Sequence, residues 1–142
     1  MDVLVELTRA SGEVYFRLHH DEAHHMFRAE WMGTLTQAEL QLAAHKGLEC
    51  LLRNEVILFL LDMRACQSNW QDICSWVRVM WTPKSLATPL RFFAHLLLPE
   101  VLHGRSLEVQ NMVHGSVCHT FENETEAVQW LDGIDVKALV QA

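Results

Sequence analysis

The side chains of this sequence best suited to chemistry fall in two short stretches. His19-His20-Asp21-Glu22-Ala23-His24-His25 gathers four of the nine histidines beside two acids. Imidazoles and carboxylates in such density are the donor set of a transition-metal site, and a tight hairpin would face His19 with His24 across the strands, with Asp21 or Glu22 as a third ligand. The spacing matches no helix-borne or knuckle-type zinc motif, so a solvated hairpin tip is the plainer reading. The second stretch is Asp62-Met63-Arg64-Ala65-Cys66-Gln67-Ser68, which follows an apolar run. Carboxylate, guanidinium and thiol where a buried strand ends are placed as in many ligand sites of open α/β sheets. Asp62 and Arg64 read either as a polar ligand's anchors or as an ion pair fixing the loop, and the latter is the simpler account. Cys66 near a helix amino terminus would favour its thiolate, yet no partner histidine is specified.

Elements must position these groups. Val56-Ile57-Leu58-Phe59-Leu60-Leu61 has the continuous apolar character of a strand buried on both faces. Val3 to Leu7 and Val14 to Leu18 read as strands joined through Ser11-Gly12, and a return strand ends at Trp31-Met32-Gly33. With Asp21-Glu22 as the tip, Phe16 faces Phe27 and Leu18 faces His25; a four-residue loop keeps the same side-chain parity. Thr36-Gln37-Ala38-Glu39 is a capping box opening a helix to about Arg53, with Leu35 and Leu40 as its hydrophobic staple and Leu40, Ala44, Leu48, Leu51 and Leu52 as its buried stripe.

Ser68-Asn69-Trp70-Gln71 opens a further helix that Pro83 closes, and Trp70, Trp76, Met80 and Trp81 give it more aromatic area than a small sheet needs covered. Leu90 to Leu98 reads as a second buried strand, Val117 to Phe121 as a last one, and Asn123 caps a helix ending at Gly133. The stretch between Pro99 and Gly115 reads as an irregular or short helical crossover. The fold class is therefore α/β: one domain with a mixed sheet, antiparallel strands first and helix-connected parallel strands later, joined by right-handed crossovers.

Composition narrows the function classes. The 142 residues carry a net charge of −7, which provides no footprint for nucleic-acid phosphates. Half the residues are hydrophobic, but no run approaches the ~20 that cross a membrane, and the acidic start has no basic leader. A soluble, cytoplasmic protein with reduced cysteines is expected, and no motif calls for a cofactor.

Trp31-x-Gly33 before a helix, Leu61-Asp62-x-Arg64, Trp70, Trp76, Trp81-x-Pro83, Arg91-Phe92-Phe93-Ala94, and Phe121 with Glu126-Ala127-Val128-Gln129-Trp130-Leu131 together resemble the SpoIIAA-like, or STAS-like, family of small bacterial proteins. The resemblance runs from about Val3 to Leu131 and rests on core and turn residues, so it implies fold more than activity. It implies a regulatory role: members of the wider group are anti-sigma factor antagonists switched at a serine in an Asp-Ser-Ser-Gly-like motif. Here the sequence after Asp62 has no serine pair and no glycine, and Ser68, the nearest hydroxyl, reads better as a helix cap than as a phosphosite. Likeness to SEC14-type lipid-binding domains within the same superfamily implies an apolar pocket. The expected function is a non-enzymatic binding or regulatory module, engaging itself as a homodimer, a partner protein or an apolar small molecule near Trp70 to Pro83. A metal protein or enzyme built on His19 and His24 is the alternative, and a phosphorylation-controlled sigma-factor regulator is the third reading.

Overall fold

The protein is a computed structural model that describes residues 2–67, 88–99 and 117–134. Six strands form one sheet in sequential order: β1 (Asp2–Thr8), β2 (Val14–Asp21), β3 (Met26–Trp31), β4 (Leu58–Asp62), β5 (Phe92–Leu96) and β6 (Val117–Phe121). β1, β2 and β3 are antiparallel, whereas β3 through β6 run parallel. The switch falls where the tight loops stop: a short turn joins antiparallel neighbours, but a parallel return needs a long crossover. The sheet is mixed α/β, as the strand patterns require. The expected helix from Asn69 to Pro83 and the crossover between Pro99 and Gly115 lie outside the described residues.

Among the described residues two helices flank the sheet, α1 (Gln37–Leu52) and α2 (Glu124–Asp132). The capping box of α1 is complete, with the Thr36 hydroxyl accepting from the Glu39 amide at 3.1 Å and the Glu39 carboxylate accepting from the Thr36 amide at 2.9 Å. Its buried stripe is Leu40, Ala43, Ala44, Gly47 and Leu51. Leu52, expected in that stripe, is 55% exposed. The small residues explain the shift, because Ala43, Ala44 and Gly47 bring the helix close to the sheet, with the Phe16 ring 3.8 Å from where a Gly47 side chain would begin. Asn123 caps α2 by accepting from the Glu126 amide at 3.2 Å.

The core divides by sheet face. Phe16, Leu18, Phe27, Ala29, Trp31, Phe59 and Phe93 pack with Leu40, Ala43 and Leu51 of α1. On the opposite face Met26, Leu58, Leu60, Ala94 and Leu96 pack with Ala127 and Leu131 of α2. The two-sided burial of β4 and β5 accounts for their continuous apolar sequences.

The β2–β3 hairpin corrects one expectation. Phe16 lies opposite Trp31, Leu18 opposite Ala29 and Asp21 opposite Met26, so the strands pair four residues further along than a tip at Asp21-Glu22 requires. Glu22 to His25 form the loop instead, with His25 at φ 53°. A shift of four preserves parity, so the apolar side chains keep the expected face.

Candidate functional site

The carboxyl ends of β3 and β4 meet in a closely tied loop pair. Gly33 and Cys66 form an isolated parallel bridge: the Gly33 amide donates to the Ala65 carbonyl at 2.9 Å and the Gln67 amide donates to the Gly33 carbonyl at 2.9 Å. The Cys66 amide closes the intervening turn onto the Met63 carbonyl, and the Met63 amide donates to the Leu96 carbonyl of β5. Gly33 has φ 77°, a conformation open to glycine and strained for most other residues.

Asp62 and Arg64 occupy the centre of this loop. Asp62 Oδ1 accepts from the Arg64 backbone amide at 3.1 Å and from its Nε at 3.0 Å, while Oδ2 accepts from its guanidinium at 2.8 Å. This is a fork-on-fork contact, the stronger kind of charge-assisted pairing. Burial alone would raise the Asp62 pKa, but the hydrogen bonds and charge of Arg64, aided by the charge of Arg28, hold it below the ordinary carboxylate range. Arg64 is shifted upward, first by its hydrogen bond to Asp62. The pair therefore stays ionised and fixes the loop.

Sequence reasoning missed Arg9, which anchors the other half of the site. Its guanidinium donates to the Met32 and Thr34 carbonyls at 3.2 and 2.9 Å, pairs with Glu39 at 3.1 Å and lies 5.2 Å from the centre of the Tyr15 ring. It thus braces the residues on both sides of Gly33. An arginine just past a strand carries no local signal for this role, since its partners come from the β3–α1 connection and the start of α1.

His19 and His24, expected to face one another, are apart. His19 sits on β2 opposite Arg28, with Nε2 3.6 Å from Glu30, and desolvation lowers its pKa. His24 lies in the hairpin loop with Nδ1 2.9 Å from both carboxylate oxygens of Asp132 on α2. The four-residue register shift removes the facing pair, and among the described residues no group of three or more metal-ligating side chains converges. Trp70, Trp76, Met80, Trp81 and Ser68 lie outside the described residues.

The interior holds a second pair, His95 and Cys118, with Sγ 3.7 Å from Nδ1 and 3.8 Å from Nε2. Burial pushes His95 down to about 4 and the Cys118 thiol up to about 12. Both groups are held neutral, the reverse of the thiolate–imidazolium pair that activates a nucleophilic cysteine.

An uncharacterised protein of the DUF3478 family from Shewanella loihica PV-4, described as having a SpoIIAA-like fold, superposes with a TM-score of 0.57 over 92% of this chain and 94% of its own. This chain has a SpoIIAA-like fold. Sequence identity with that protein is 14%, so the likeness extends to the path of the backbone and not to side-chain chemistry. No protein-family model matches the sequence, and no curated protein matches it. Among the described residues, no helix is long and apolar enough to cross a membrane.

Proposed function

We propose that this SpoIIAA-like chain is a non-enzymatic binding or regulatory module. It engages a second copy of itself, a partner protein or an apolar small molecule at the loop following β4 and the adjoining Trp70 to Pro83 segment. The observation that carries the reading is the state of the polar groups at the strand ends. Asp62 directs both carboxylate oxygens to Arg64, and the loop they fix is bonded back to β3 through Gly33. A preset, internally satisfied loop presents a shape, whereas acid–base chemistry needs a group poised to exchange its proton. The neutral His95–Cys118 pair supports the same reading from the interior.

Native mass spectrometry of gently purified protein tests this, because one spectrum reports subunit number, bound metal and co-purified small molecules. The expected spectrum shows a dimer or a monomer carrying an additional organic mass. A bare monomer overturns the self-association and small-molecule forms of the proposal. A stoichiometric metal increment overturns the module reading in favour of a metal protein.

A further inference from the structure

The contact between the β2–β3 loop and the far end of α2 has a chemistry that the binding-module reading does not use. α2 is nine residues long, about 12 Å from first Cα to last, and it is held to the β2–β3 hairpin at both ends. At its amino-terminal turn Glu124 pairs with Arg28 of β3. At its last residue Asp132 pairs with His24, which lies in the loop before β3. The hairpin therefore grips the helix twice, once from its loop and once from β3. One grip is a permanent Arg–Glu pair and the other is titratable.

We infer that His24 and Asp132 form a proton-dependent latch, tightening the last turn of α2 against the hairpin when the imidazole is charged and loosening it when the imidazole is neutral. The charges around the latch favour this. Asp132 stands at the carboxyl end of a helix whose last turn has no basic residue, where the helix dipole is unfavourable to an acid. A cationic His24 supplies the missing positive charge. On the hairpin side Asp21 accepts a hydrogen bond from the His24 backbone amide at 3.2 Å and adds a second negative charge, and the loop neighbours Glu22 and His25 are both exposed. With His24 neutral, Nδ1–H still donates to Asp132, but the two carboxylates and the last turn of α2 lose the cation that His24 supplies.

The direction of the titration agrees. The hydrogen bond to Asp132 is the first cause raising His24 above its ordinary value of 6.5; burial opposes it, and the charges of Asp132 and Asp21 add to it. A histidine whose folded pKa is raised contributes stability that is fully present below its unfolded value. That contribution is lost as pH rises through the folded value. The latch is therefore engaged below about 6.5 and loosens above the folded pKa.

The test is an NMR titration of the full chain with amide hydrogen exchange. His24 should titrate above 6.5 and return toward it in Asp132→Asn. Once corrected for intrinsic exchange, protection of the Leu131 to Ile134 amides should fall about two- to fivefold across that titration, the scale of an exposed ion pair. Ala127, near the Arg28–Glu124 grip, should stay unchanged. His24→Gln keeps a hydrogen-bonding side chain without a titrating charge, and should abolish the pH dependence while leaving near-ultraviolet circular dichroism intact. The inference is overturned if His24 titrates at or below 6.5, or if the last-turn protection varies with pH equally in the wild type and both variants.

Discussion

The two faces of the sheet use the same strands differently. On the α1 face apolar side chains continue from β2 across to β5, from Phe16 and Leu18 through Phe27 and Ala29 to Phe59 and Phe93. On the α2 face a single cross-strand row passes from Ala94 and Leu60 into Arg28 and then His19. The neighbouring row passes from Leu96 into Asp62, Glu30, Arg17 and Glu6. α2 packs against β4, β5 and β6, and the rows become charged toward β1, with Arg28 pairing Glu124 at the start of α2. One face is therefore cohesive by dispersion and apolar burial, and the other couples a small apolar cluster to a field of ion pairs. Buried apolar area resists change strongly, while partly exposed ion pairs contribute little and respond to pH.

That contrast is most directly broken by paired truncations. Phe93→Ala on the α1 face should cost about 3–5 kcal/mol in urea unfolding, because it removes a buried ring and leaves a cavity. Arg28→Ala on the other face should cost about 1 kcal/mol or less, as expected for a pair whose Glu124 partner is 40% exposed. Equal losses would mean that the charged rows hold the fold as firmly as the core.

Helix caps sharpen the comparison at the next scale. Thr36→Ala removes the side chain that accepts from the Glu39 amide at the start of α1, and Asn123→Ala removes the corresponding acceptor at the start of α2. Each should lower stability by about 1 kcal/mol. If the α2 cap proves silent while the α1 cap does not, the Arg28–Glu124 grip is holding that helix end without it.

The smallest expected effect is electrostatic and confined to acid. Asp62 has a folded pKa below its ordinary value of 3.8, so its contribution is present above that value and is lost as pH falls through the folded one. In Asp62→Asn, unfolding free energy should change less with pH below about 4 than in the wild type, with little difference in the slope above it. An identical acid limb would show that the Asp62–Arg64 pair persists on unfolding or contributes nothing to folding.

Much of this architecture was legible along the chain. Thr36 and Glu39 satisfied one another as a capping box because both partners lie within one turn, and β6 begins at Val117 and ends at Phe121 as its pattern required. The apolar runs around Leu60 and Phe93 became adjacent parallel strands, since only central positions bury both faces. Asp62 and Arg64 paired as expected because two residues in one turn need no distant element to bring them together. The hairpin register was less legible: parity confined Phe16, Leu18 and Phe27 to one face, but loops of two and four residues satisfy parity equally well. That choice decided whether His19 met His24 or Arg28.

By itself, then, the sequence determined periodicity, caps, the mixed sheet and the local Asp62–Arg64 bond, all of which depend on residues within a few positions of one another. Tertiary structure alone decided that Arg9 would brace Gly33, that His95 would rest beside Cys118, and that His24 would reach Asp132 across 108 positions. Those contacts arise where strand order, register and helix placement bring remote chain segments together, and no periodicity in the chain encodes a meeting at that distance.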